Sequence, residues 1–106
     1  MSSKIYTDLH ALTFLLHEHK RHLANTYKIV CTSVPGDPVH TGHLSILRES
    51  ARLGQALVIL VNSDRFLIEK KGYYFLPLEE RLQIIAAFDA VDFVVPWDDG
   101  SQFVDG

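Results

Sequence analysis

Apolar positions along the chain change spacing several times, and each change marks an element. Over 8–24, Leu9, Leu12, Leu16 and Leu23 recur near helical spacing, with Thr7 or Asp8 ahead of them as a cap and Asn25 and Thr26 after them. That pattern predicts an amphipathic helix. Residues 27–34 (YKIVCTSV) are β-branched and apolar, and predict a first strand that places Cys31 in the core. The PGDP run at 35–38 is a turn signal. Over 41–53, Leu44, Ile46, Leu47 and Ala51 alternate with Arg48, Glu49 and Arg52, a helix closed by Gly54. The unbroken run ALVILVN at 56–62 predicts a strand buried on both faces.

Residues 63–76 have weak periodicity and read as a loop with at most one helical turn. A helix is expected over 77–90, with Pro77 at its start and Glu79 and Glu80 at the positive end of its dipole. A third strand is expected over 92–95, and the polar stretch 96–106 is expected to begin another helix at Ser101. The order is helix, then strand, helix, strand, helix, strand. Such alternation implies an α/β fold, a Rossmann-like open parallel sheet with flanking helices, preceded by an N-terminal amphipathic helix. The expected organisation is 1–26 as a helix packed on the domain and 27–106 as the core. In such sheets ligands sit outside the carboxyl ends of the strands, so the loops 35–43 and 63–76 are expected to face one crevice.

Composition narrows the function. The chain has 106 residues, which fits one domain, and 47% apolar with 22% charged residues is a globular balance. A net charge of −3 argues against a general nucleic-acid binder. A single cysteine excludes an internal disulfide and fits a reducing, cytoplasmic setting. The apolar stretch near the N-terminus is interrupted by His10, His17, Glu18 and Lys20, and no apolar run reaches membrane-spanning length.

The loop after the first strand reads Gly36-Asp37-Pro38-Val39-His40-Thr41-Gly42-His43. Two histidines three apart, with a glycine between them, straddle a helix start. Free N–H groups at a helix N-terminus attract phosphate. Imidazoles there can donate hydrogen bonds to the charge that builds up in phosphoryl-type transfer. Gly42 removes a side chain where a nucleotide lies close to the backbone. The bland alternatives are ordinary loop and cap histidines, or a zinc site, for which no third ligand has suitable spacing.

This stretch resembles the His-x-Gly-His motif of the cytidylyltransferase-like nucleotidyltransferases. Asp37, His40, Gly42 and His43 match its pattern, while Gly36 stands where the family has phenylalanine and Val34 where it has glycine. The likeness continues through Val61-Asn62-Ser63-Asp64, Lys71-Gly72, Pro77-Leu78-Glu79-Glu80-Arg81 and Ala90-Val91-Asp92. Within the family it is nearest to the ADP-heptose-forming adenylyltransferase domain and glycerol-3-phosphate cytidylyltransferase.

The resemblance implies an enzyme that moves a nucleoside monophosphate from CTP or ATP to a sugar or polyol phosphate and releases pyrophosphate. The alternative is a nucleotide-binding or regulatory module of the same fold without turnover. The resemblance implies that Val34, Pro35, Gly36, Asp37, His40, Gly42 and His43 hold the nucleotide. His40, His43 and Lys71 are the implied catalytic groups. Arg81 either reaches phosphates or pairs with an acid, and Asp64 either orients a ligand or ends the strand. Magnesium is expected with the triphosphate, and no protein metal site is. The expected partners are a nucleoside triphosphate and a phosphorylated small molecule, with no nucleic acid and no membrane.

Relatives carry a further strand, a helix and a later nucleotide-contacting segment, which implies that the C-terminal part of the family fold is missing here. A fragment, a variant completed by a homodimer and an inactive relative each account for that, a fragment most simply. Three features carry bland readings beside functional ones. His10, His17, His19 and His22 read as surface residues. Tyr73, Tyr74 and Phe75 either stack on a base or pack over a loop. Trp97, Asp98 and Asp99 either border the substrate mouth or form a plain turn.

Overall fold

The computed structural model describes residues 4–22, 28–37 and 41–97. Its elements are α1 (Leu9–His22), β1 (Ile29–Val34), α2 (Thr41–Ala51), β2 (Ala56–Asn62), α3 (Asp64–Lys71), α4 (Leu78–Ala86) and β3 (Phe93–Trp97). The three strands form one parallel sheet in the order β1-β2-β3, the open α/β arrangement that the alternation of elements predicts. Val34 pairs with Val61 and Asn62 with Trp97, so the carboxyl ends of all three strands lie along one edge.

β2 is buried at every position, and its pleat explains why an unbroken apolar run is needed. Leu57, Ile59 and Val61 join Leu47 of α2 and Leu82 and Ile85 of α4 in one core cluster. Val58 and Leu60 point to the other face, where they meet Leu12 and Leu16 of α1 together with Val95 and Trp97. Each such side chain contributes ~1.5–3 kcal/mol when fully buried. No helix among the described residues is long and apolar enough to cross a membrane.

Four differences from the sequence reading have physical causes. The stretch 63–76 is not a loop throughout, because α3 occupies two turns of it. α3 places only Leu67 in the interior, so it leaves little periodicity to read; its ends specify it instead. Ser63 Oγ accepts from Phe66 N–H at 3.1 Å, Lys70 and Lys71 sit in the last turn, and Gly72 closes it at φ 86°. Second, α4 stops at Ala86, and Ala87 to Ala90 turn back toward the sheet.

Third, the segment at Lys4 to Tyr6 adds a rudimentary strand outside β3. Ile5 bridges Val94, and Tyr6 N–H donates to the Val94 carbonyl at 2.9 Å. Three residues are too few to show an alternation. Fourth, Cys31 is exposed and does not belong to the core. It pairs in register with Val58, whose face is covered by α1; that cover reaches Ile29 of β1 but does not close over Cys31. Partial desolvation still pushes its thiol pKa up, which disfavours the nucleophilic thiolate. The helix expected from Ser101 lies outside the described residues, as do Asp98 and Asp99.

Candidate active site

Parallel pairing brings the ends of β1 and β2 side by side, and the loops that follow them meet above the sheet. Asp37 is the junction. Its carboxylate is fully buried and accepts from two backbone donors of the α3–α4 connection, Phe75 N–H at 2.7 Å and Leu76 N–H at 2.8 Å. The Lys71 ammonium donates to the Asp37 carbonyl oxygen at 3.1 Å and lies 3.5 Å from Oδ2. Burial alone disfavours the charged carboxyl. The two amide donors and the lysine charge outweigh that, and its pKa is lowered from the ordinary value of 3.8. The loop after β1 and the connection between α3 and α4 are therefore joined through Asp37 at the carboxyl edge of the sheet.

Gly36, just before this junction, is buried with φ 64°, a left-handed conformation that a side chain disfavours by about 1–2 kcal/mol. The glycine in place of a bulky residue fits that turn. Thr41, Gly42 and His43 form the first turn of α2, and His43 is half-buried there. Pro38, Val39 and His40 lie outside the described residues. Val34 is buried at the end of β1, and Pro35 stands next to it with an exposed side chain.

Arg81 is placed differently from a phosphate ligand. Its side chain is 0% exposed, and its guanidinium is spent inside the protein. Nε donates to the Leu76 carbonyl at 2.9 Å, and Nη1 donates to the carbonyls of Pro35 at 2.8 Å and Asn62 at 2.6 Å. Nη2 meets Asp64 Oδ1 at 2.6 Å. Of the two readings open to Arg81, the geometry matches pairing with an acid. Arg81 is a positioning residue that ties the loop after β1, the end of β2 and the start of α4 into one block. Asp64 also caps α4, accepting from Leu78 N–H at 2.8 Å.

Sequence reasoning finds the parts of this network but misses its centre. The family pattern marks Arg81 as important, but three converging carbonyls carry no sequence signal. Of the aromatic residues after Gly72, Tyr73 and Phe75 pack against each other and Lys71, and Tyr73, Tyr74 and Phe75 are all exposed. Trp97 is buried in the cluster that α1 covers. His10 and His17 are exposed, in keeping with surface residues, while the side chains of His19 and His22 lie outside those described; among the described residues no group of three or more His, Cys, Asp or Glu is placed to hold a metal.

A buried carboxylate and a lysine that join two loops at the carboxyl edge of a parallel sheet place the chain among the open α/β domains. The chain belongs to the cytidylyltransferase-like family, which it matches over residues 37–103. It is 40% identical over 74 residues to the bifunctional protein HldE of Sodalis glossinidius (strain morsitans), a match covering 68% of this chain and 15% of that protein. The bifunctional protein HldE of Yersinia pestis (strain Pestoides F) is 39% identical over 74 residues, with 68% and 16% covered. The chain thus spans a small part of the length of these relatives. Among solved structures, it is similar to a lipopolysaccharide core biosynthesis protein from Thermoplasma volcanium GSS1. The TM-score there is 0.64 at 28% identity, over 68% of this chain and 59% of that one.

Proposed function

We propose that this chain carries the nucleotide site of a nucleotidyltransferase that moves a nucleoside monophosphate from ATP or CTP to a sugar or polyol phosphate. The observation that carries the reading is the Asp37 junction, which holds Asp37, just past the end of β1, and Lys71 beside each other at the sheet's carboxyl edge. Family membership and the likeness to HldE support the same chemistry.

In this mechanism an oxygen of the acceptor phosphate attacks the α-phosphorus of the triphosphate. A new P–O bond forms, the bond to the bridging α–β oxygen breaks, and pyrophosphate leaves with that electron pair. No protein nucleophile is required, so the chain positions groups and neutralises charge. The amides opening α2 receive phosphate oxygens, and His40 and His43 donate to the charge developing during transfer. Lys71, one-third exposed beside Asp37, supplies a positive charge. Asp37 and Arg81 hold the loops and do not touch substrate.

Magnesium, when bound, neutralises charge on the triphosphate. Asp37 is committed to amides and Lys71, and the described residues offer no metal-holding cluster, so the ion's ligands would be mainly triphosphate oxygens. Pyrophosphate release from ATP and CTP, measured with a panel of sugar and polyol phosphates, tests the proposal. Release that depends on an acceptor supports it. Nucleotide binding without release in any combination supports a binding module instead.

A further inference from the structure

The connection between α3 and α4 holds an arrangement that phosphate binding alone does not use. Tyr73 is 51% and Phe75 63% exposed, although aromatic rings gain most by leaving water. The backbone beneath them is nonetheless fixed, because the N–H groups of Phe75 and Leu76 are both held by the buried Asp37 carboxylate. The rings also pack against each other. Tyr73 and Phe75 meet edge to face, with centroids 5.2 Å apart and planes at 79°. The Lys71 ammonium sits 5.1 Å from the Tyr73 centroid and 5.5 Å from that of Phe75. One cation and two rings thus share a small patch beside the phosphate-binding loop.

We infer that Tyr73 and Phe75, together with Lys71, form the face that selects the acceptor, which is a ring-bearing sugar phosphate. This rests on the transferase reading above. Lys71 draws the acceptor's phosphate, and the rings cover the apolar C–H face of its sugar. The spacing favours a sugar over a nucleobase. A sugar phosphate carries its phosphate on the ring or one carbon away, matching a cation that touches both rings. A base is separated from its phosphates by a whole ribose. Exposed rings on a pinned backbone also suit recognition, since little ordering is left to be done on binding. Selectivity for a ring over an open-chain polyol follows from the contact area that the open chain lacks.

Calorimetric titration of the full chain with hexose 1-phosphates, glycerol 3-phosphate, ATP and CTP tests this. In the unmodified protein at least one hexose 1-phosphate binds more tightly than glycerol 3-phosphate. In the pair variant Tyr73→Ala with Phe75→Ala its affinity falls about tenfold, while glycerol 3-phosphate and the nucleotides are unchanged. Tyr73→Leu with Phe75→Leu, which keeps apolar bulk, serves if the alanine pair is unstable, and is expected to lose affinity in the same direction. Unchanged hexose phosphate affinity in the variants overturns the inference. So does the absence of any preference for a ring in the unmodified protein, or a matching loss of ATP or CTP affinity, which assigns the rings to the base. Failure of the transferase reading is seen separately, as unmodified protein that binds neither nucleotide.

Discussion

The Arg81 guanidinium, wholly buried, stands 2.6 Å from Asp64 Oδ1, and this pair joins α4 to the start of α3. Its other donors satisfy carbonyls of Pro35, Asn62 and Leu76. Removing the arginine takes this donor from those carbonyls and leaves the Asp64 carboxylate with Leu78 N–H but without its cation. Arg81→Ala is therefore expected to lower stability by ~3–5 kcal/mol, a large share of what a small domain has. Arg81→Lys keeps the charge but not the fork, and is expected to recover only part of the loss. Urea denaturation measures both; an alanine variant within about 0.5 kcal/mol of the original would remove Arg81 from the centre of the network.

Asp37 makes a prediction in pH. Its folded pKa lies below its ordinary value of 3.8. The unfolded chain therefore binds its proton first, so Asp37 adds stability at all pH values above that ordinary value. That contribution fades as pH falls from about 4 through the folded pKa. Asp37→Asn is expected to lose ~1–3 kcal/mol near neutral pH, by weakening the two amide bonds and the lysine contact. It is also expected to flatten the acid limb of the stability curve. A variant whose acid limb matches that of the original protein would show that another carboxyl governs it.

Much of this arrangement is legible in the sequence where one element does one job. β2 is readable because it is covered on both faces and every position answers to burial. The helix of α2 is readable because Leu47 and its neighbours keep helical spacing against the sheet. α3 is not, since Leu67 alone is buried and capping groups define the rest. The bridge at Ile5 is too short to leave a pattern, and the exposure of Cys31 depends on how far α1 reaches across the sheet. In the site, Asp37 and His43 stand out in the motif, but the sequence does not tell that Arg81 points inward. That depends on carbonyls brought together by the strand ends.

The caps of α3 are also open to measurement. Ser63 Oγ accepts from Phe66 N–H, and its removal leaves a helix N-terminus short of one partner. Ser63→Ala is expected to cost about 1 kcal/mol. Because α3 ends at Lys71, the same change is expected to raise amide exchange through that helix. Unaltered exchange across 64–71 would mean that packing of Leu67, and not the cap, holds α3.

The histidines carry the chemical prediction. His40→Ala and His43→Ala are each expected to slow pyrophosphate release about a hundredfold, the loss of ~3 kcal/mol of transition-state stabilisation. Nucleotide affinity is expected to change less than the rate, because the interaction strengthens as charge develops. Equal losses in binding and rate would make the imidazoles simple binding groups.

The central claim is that a triphosphate rests where the loop after β1 meets the connection after α3. Backbone amide shifts of the isotope-labelled chain, followed during titration with ATP and with CTP, test it most directly. The account predicts that the largest changes fall at Gly36, Asp37, Gly42, His43 and Lys71, with α1 unmoved. Saturable changes centred on α1, or none at any of those five amides at millimolar nucleotide, would contradict it.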